Sequence, residues 1–405
     1  MSVRVSKILF LNQMAGPLFR ELAEDLSTRF PGLSVLRTGH LDTLSIGSST
    51  DKLLIESMPG YDRSSYLTRI FSWMKYTVRA SIEMFRSDSE TALFIVSNPP
   101  LLGPAAWLAN KLRGLPYIVL VYDLHPDTLI NFGVLKETSF AVWLWRKINR
   151  SVWNNATAVY TLGPVMAERL SRQFDAARTK KGDVGVLPPW ADTEKIKPLP
   201  RGENPLNQEW MLQDKVVVLY SGNMGVSHDI DSILQAANLL RDEKKIVFLL
   251  IGEGEKWQDA VDFQSKHKLD NLMVLPFQHE SRLPYTMSLA DISLLALDKG
   301  AEGLMIPSKM FYYMAAGSAV IGICSGRNDV AHIIAESRCG GIIEPGNPSG
   351  LAEMIKSYAS DNEKLNKFKK SARAAAVQKY SREACMKRLT SEITSLFAVG
   401  KNEKL

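Results

Sequence analysis

A chain of 405 residues is too long for one ordinary hydrophobic core, and its 45% hydrophobic and 23% charged content excludes a disordered or fibrous protein. Three cysteines, Cys324, Cys339 and Cys385, form no close pair and suggest neither disulfides nor a zinc site, as suits a reducing cytosol. No apolar run reaches the ~18 residues that span a bilayer, and no signal-peptide pattern opens the chain. The net charge of +6 falls wholly in residues 1–200, with 24 Lys and Arg against 18 Asp and Glu, and favours an anionic partner there.

Taken in chain order, apolar and β-branched runs predict first-half strands at 7–11, 33–37, 53–57, 92–97, 116–121, 158–161 and 184–187. Helices fit between them at 17–29, 64–86, 103–113, 142–154 and 165–174. Gly16 and Pro17 end the first loop and open the first helix. Within 64–86, the stripe Leu67, Phe71, Met74, Val78, Ile82 and Phe85 is expected to face the core. Arg69 and Trp73 lie on an adjoining stripe, and Trp143, Arg146, Arg150 and Trp153 repeat the arrangement in 142–154. Arginine interleaved with aromatic rings suits a lipid headgroup layer. The competing reading buries the tryptophans under loops and leaves the arginines in water. The strand at 116–121 runs into Tyr122-Asp123-Leu124-His125-Pro126-Asp127. Two carboxylates and an imidazole at a strand's carboxyl end can orient or deprotonate a hydroxyl. For Asp127 the favoured reading is a cap on the next turn.

Residues 187–206 hold five prolines and read as a linker. Beyond it come strands at 215–220, 246–251, 271–275, 291–297, 319–323 and 341–344. Helices alternate with them at 230–240, 256–267, 282–290, 307–316 and 329–335, and a last helical segment at 362–397 breaks near Tyr380. Short apolar strands separated by helices make a parallel sheet covered on both faces. The fold class is therefore α/β, with two Rossmann-like, doubly wound domains and an interdomain cleft as the expected ligand site. The expected boundaries are 1–196, 197–380 and 381–405.

Four second-half loops at one sheet edge carry Gly, Asn, Glu, Ser and Lys, a stronger signal together than any one of them. Ser221-Gly222-Asn223-Met224-Gly225 follows a strand and lets backbone approach a phosphate. It lacks the third glycine of a dinucleotide fingerprint. Gly252-Glu253-Gly254 follows the next strand. Ala301-Glu302-Gly303 leads toward Pro307-Ser308-Lys309 and the helix that ends at Gly317. A helix start with a hydroxyl and an ammonium is a pocket for a phosphate group. Taken singly, each glycine loop reads equally well as a tight turn, Glu302 as a solvated loop glutamate, and Lys309 better as a solvated lysine on an ordinary amphipathic helix.

Together these segments resemble the GT-B glycosyltransferases of family 4, most of all bacterial enzymes of O-antigen, capsule and exopolysaccharide synthesis. The likeness is carried by residues 121–127, Val186-Leu187-Pro188-Pro189-Trp190-Ala191-Asp192, residues 220–225 and 251–254, and the stretch 307–317, in the family's order. It implies a nucleotide-sugar donor on the second domain, an acceptor on the first, and metal-independent transfer with retention. It also implies that the last helix returns to the first domain and that no cofactor is needed. Gly222, Asn223, Gly225, Gly252, Gly254, Ser308 and Lys309 would then serve the donor, with Glu302 at its sugar. Asp123, His125, Asp127 and Gly16 would lie on the acceptor side, and Asp123, Lys309 and Glu302 would carry the catalysis. Many relatives place a ribose-gripping glutamate one turn into the Lys309 helix, where this chain has Tyr312; a phenol offers no bidentate grip. Their His-Asp pair is here Tyr122-Asp123.

The function so implied is a hexosyl-type glycosyltransferase in cell-surface polysaccharide synthesis, acting on a glycan or polyprenyl-linked acceptor. It would be cytoplasmic, and the first half's charge leaves room for a peripheral place on the inner face of the plasma membrane. Arg69, Trp73, Trp143, Arg146 and Arg150 would face that anionic surface. Nucleic acid fits poorly, since no basic run or recognition motif is present. Two rivals share the fold: a sugar-nucleotide epimerase, which needs more acid/base groups, and a non-catalytic nucleotide-sugar-binding partner, which Tyr312 favours and Lys309 opposes.

Overall fold

The computed structural model describes residues 5–40, 50–62, 64–131, 133–174, 184–226, 228–297, 303–304 and 306–397. It divides into two compact units, residues 1–188 with 385–405, and residues 189–384.

The first unit is built on seven strands: β1 (Lys7–Leu11), β2 (Ser34–Thr38), β3 (Leu53–Ser57), β4 (Thr91–Val96), β5 (Tyr117–Val121), β6 (Ala158–Thr161) and β7 (Gly185–Val186). All pair in parallel, in the order β3-β2-β1-β4-β5-β6-β7. Every residue of β4 and β5 is buried, as a strand with helices on both faces requires. Phe10 and Phe94 are register partners, and Phe19 of the helix Pro17–Ser27 closes on both, with centroids 5.6–6.3 Å apart. The helix Tyr66–Arg86 starts at a capping box of Ser65 and Thr68. It packs against Leu102–Arg113, which packs in turn against Phe140–Asn155. Residues 385–397 cover the far edge. Phe397 meets Phe30 at 6.3 Å, and Glu392 accepts a 3.1 Å bond from Tyr160.

The second unit holds β8 (Val216–Ser221), β9 (Ile246–Ile251), β10 (Leu272–Leu275), β11 (Ile292–Ala296), β12 (Ala319–Ile323) and β13 (Gly340–Ile343). These too are all parallel, in the order β10-β9-β8-β11-β12-β13. The core packs the sheet against helices that include Ile230–Leu239 and Pro348–Ser360. Pro348–Ser360 was not among the expected elements. Behind the sheet, Arg373 of the helix Asn362–Lys379 donates to the carbonyls of Ala315, Thr193 and Ile196 at 2.8–3.0 Å. One guanidinium thus joins the end of the helix Lys309–Ala315 to residues 193–196.

Candidate active site

Strand order in the second sheet reverses between β8 and β11. Loops leaving the carboxyl ends of such a pair diverge and open a crevice. The loop after β8 and the loop after β9 are tied together by backbone. Gly222 donates to Ile251 at 2.9 Å, Met224 to Glu253 at 2.7 Å, and Lys256 to Met224 at 2.9 Å. Side chains would not fit: a Cβ on Gly252 would lie 1.9 Å from the Gly222 oxygen, and one on Gly254 2.6 Å from Asn223 Oδ1. Both glycines hold a positive φ that L-residues rarely adopt. Their first task is close packing of two loops, which fixes Asn223 in place. Gly225 donates its N–H to His228 Nδ1 at 3.1 Å.

Lys309 stands over this loop pair. It is half-buried, its Nζ lies 3.8 Å from the centroid of the Tyr220 ring, and a Cβ on Gly222 would come within 3.3 Å of it. Among the described residues no carboxylate neutralises it, and burial lowers its pKa to about 7. The ring quadrupole offsets part of the lost hydration. Tyr220 donates its hydroxyl to the Asn223 carbonyl at 2.7 Å. One turn beyond Lys309, the Tyr313 hydroxyl accepts from the Ser221 N–H at 2.8 Å and donates to the Ser221 oxygen at 3.0 Å. These bonds pin the lysine's helix to the end of β8. Neither Tyr313 nor Tyr220 was assigned a role from the sequence. The available signal was that a buried tyrosine hydroxyl normally has a partner. Ser308 is exposed and makes no capping bond, Tyr312 is half-buried, and Glu302 lies outside the described residues.

In the first unit, Ser97 Oγ accepts from the N–H groups of Tyr122 and Asp123 at 3.1 and 3.3 Å and holds the carboxyl end of β5. Asp123 and His125 line a cavity of about 30 Å³ with Ser97, Trp145 and Asn149. That is room for one water, not a sugar ring. Burial pushes the Asp123 carboxyl up, opposed by the His125 charge; it pushes the His125 imidazole down, opposed by Asp123. The His125 Nδ1 is buried without a partner among the described residues. Gly16 caps its helix with open space where a side chain would stand.

Three expectations are corrected. Asp127 is not brought to Asp123 and His125 as an acceptor-side group: it is buried at a helix start and bonded to Arg146 at 2.7 Å and to Gln173 at 3.3 Å. Arg146, expected at a membrane, is committed to that pair and to Glu137 at 3.3 Å. The stripes of Tyr66–Arg86 are also reversed. Arg69 buries its Nε, Trp73 buries its indole N–H and stacks on Tyr61 at 6.2 Å, and Tyr76 is fully buried. Leu67, Phe71, Met74, Val78 and Ile82, expected in the core, are exposed. Trp143 and Arg150 are exposed as well.

Among the described residues, no cluster of three or more His, Cys, Asp or Glu is placed to hold a metal, and no helix is long and apolar enough to cross a membrane.

The two doubly wound units define a GT-B fold, and comparison with known proteins carries this further. A model of glycosyl transferases group 1 matches residues 206–375, and a glycosyl transferase 4-like domain matches residues 58–190. A probable glycosyltransferase of Pseudomonas aeruginosa, WbjE, is 28% identical over 296 residues, covering 71% of this chain and 70% of its own. WcaI of Escherichia coli K12, a putative colanic acid biosynthesis glycosyl transferase, is 24% identical over 54% of this chain and 53% of its own. The structure of Anabaena HepE in complex with UDP superposes with a TM-score of 0.68 at 15% identity, covering 96% of this chain and all of that one. The chain belongs to the GT-B glycosyltransferases of the family 4 type.

Proposed function

We propose that this glycosyltransferase moves a sugar from a nucleoside diphosphate donor to a glycan acceptor carried on a polyprenyl lipid. Transfer retains the anomeric configuration, needs no metal, and serves polysaccharide synthesis at the cytoplasmic face of a membrane. The carrying observation is Lys309, an ammonium that no carboxylate neutralises among the described residues, set over the glycine loops after β8 and β9. A departing diphosphate needs positive charge where its own negative charge develops. Lys309 supplies it, with the Asn223 amide and the Ser308 hydroxyl as further donors. Its ammonium form is restored as the anion arrives, because a nearby negative charge raises the pKa. HepE structures holding UDP and UDP-glucose support the donor class, and the colanic acid role of WcaI, a putative glycosyl transferase, supports a place in polysaccharide synthesis. On the other unit, Asp123 and His125 are pushed toward their neutral forms, a state suited to orienting an acceptor hydroxyl.

The test is incubation with a panel of nucleotide sugars and lipid-linked acceptors, with and without EDTA, reading released nucleotide and the product anomer by NMR. Transfer, or slow donor hydrolysis, with the α/β configuration kept and EDTA without effect is the expected result. An isomerised donor, or binding without turnover across the whole panel, would overturn the reading.

A further inference from the structure

The helix Lys309–Ala315 has only seven residues, yet it carries the ammonium over the glycine loops. Its own backbone dipole does not favour that, because a cation at a helix start meets the positive end. Ser308 makes no capping bond there. Met310, Phe311 and Met314 are buried, but apolar burial has no direction. What orients the helix lies at its far end and along its flank.

At the far end, Arg373 donates from Nη1 to the Ala315 carbonyl at 2.8 Å and to the Ile196 carbonyl at 3.0 Å, and from Nη2 to the Thr193 carbonyl at 2.9 Å. Gly317 closes the helix at a φ of +70°, and a Cβ there would stand 2.9 Å from Pro198 Cγ. On the flank, the Phe311 ring lies 5.1 Å from that of Tyr380, tilted by 57°. The Tyr380 carbonyl accepts from the Ala191 N–H at 3.2 Å, and Ala191 forms a parallel bridge with Ser381. The second unit runs from residue 189 to residue 384. Thr193, Ile196 and Pro198 thus belong to the incoming stretch of that unit, and Tyr380 and Ser381 to the outgoing one. The lysine's helix is seated on both, and one guanidinium bonds it to the incoming stretch.

We infer that Arg373, supported by Phe311 and Tyr380, is a positioning residue for Lys309: it fixes the lysine's helix on the incoming and outgoing stretches and so sets where the ammonium stands over the glycine loops. Its bonds go to backbone, so it acts through the helix. A guanidinium suits this task because its planar fork reaches three carbonyls at once, whereas an ammonium gathers its donors at one point. The inference deepens the proposed donor site and rests on it only in the choice of UDP as ligand.

The experiment compares the full chain with its variants Arg373→Lys and Tyr380→Leu, which attack the seat from different sides. Lysine side-chain NMR, with Lys309→Met to assign the signal, reads the Lys309 titration in the free protein. Calorimetry at pH 6 reads UDP affinity. Lys309 faces the Tyr220 ring, with the Tyr313 hydroxyl one turn on, and no carboxylate neutralises it among the described residues. Its midpoint, about 7 in wild type, therefore reports how deeply the ammonium is held. Both variants should move that midpoint up toward the ordinary 10.5 and weaken UDP binding by about five- to tenfold. Arg373→Lys keeps the charge, so wild-type titration and affinity in that variant would overturn the inference. So would a lower melting temperature with both readouts unchanged, which assigns Arg373 to stability alone. A Lys309 midpoint raised in both variants of a protein that never binds UDP would refute the proposed donor and leave the positioning role standing.

Discussion

Replacing Lys309 with methionine tests the donor site most directly, because the lysine's own titration supplies an internal control. Its free-state pKa of about 7 leaves it half-protonated near neutrality and about 1% protonated at pH 9. An arriving diphosphate pulls that pKa back up, so binding takes up a proton. At ~4 Å and an effective dielectric of ~20, two unit charges attract by about 4 kcal/mol. The lysine is only half-buried, so the ~1.5–3 kcal/mol of a charge-assisted hydrogen bond is the better figure. Lys309→Met should therefore weaken UDP binding by about 10- to 100-fold at pH 6. Wild-type affinity should then fall by up to about tenfold per pH unit above pH 7 until it meets that of the variant. Isothermal calorimetry with UDP at pH 6 to 9, in two buffers of different ionisation enthalpy, reads both quantities. UDP's own phosphate also titrates, and the variant provides that baseline. Stability has its own sign. The unfolded chain holds the lysine proton more tightly, with a pKa near 10.5, so the penalty on folding is full below pH 7 and gone above about 10.5. Lys309→Met should accordingly melt no lower than wild type at pH 6 and somewhat higher if anything. Equal affinity of both proteins at pH 6, or parallel pH slopes, would refute the reasoning.

Two further outcomes follow from the same geometry. Tyr313→Phe removes both bonds to Ser221 and should weaken UDP binding by about tenfold and lower the melting temperature, since each bond contributes ~0.5–1.5 kcal/mol; an unchanged Kd would show that the lysine's helix needs no pin. Asp123→Asn should cut transfer at least tenfold while calorimetric UDP affinity stays within error, because Asp123 belongs to the first unit and the glycine loops to the second; transfer at the wild-type rate would remove Asp123 from the site.

The strands were the most legible part of the sequence. β4 and β5 lie buried on both faces, so each is a near-continuous apolar run that stands out from its flanks. The glycine loops were legible because each follows its strand, β8 or β9, directly, and the Lys309 helix because Pro307 and Gly317 punctuate it. Pro348–Ser360 escaped notice although Leu351, Ala352, Ile355 and Tyr358 are buried at helical spacing. Its glycine and three serines dilute the apolar signal. The reversal of the stripes on Tyr66–Arg86 has a deeper cause. Periodicity shows that a helix has an apolar face but not which way the sheet lies from it. Here Tyr76 donates to the Arg37 carbonyl and Ser72 to the Arg69 carbonyl, each at 2.8 Å, on the inward face, while Leu67, Phe71, Met74, Val78 and Ile82 stand outside. Asp127 and Arg146 were both visible as charges, but nothing in their spacing of nineteen residues announced that they would neutralise each other.

The discontinuity of the first unit bears on how the chain is made. Phe30 and Tyr160 emerge from the ribosome early, but their partners Phe397 and Glu392 arrive only after residues 189–384. At ~5–20 residues per second that interval is about 10 to 40 seconds. During it the first sheet stands complete with part of its packing missing, while the second unit, continuous in sequence, emerges as a single stretch. A chain that ends just short of residue 385 holds the whole second unit but a first unit in which Phe30 lacks Phe397. The earliest strands of the first unit are thus the last to be fully packed, because the helix that supplies Glu392 and leads into Phe397 closes the sequence of both units.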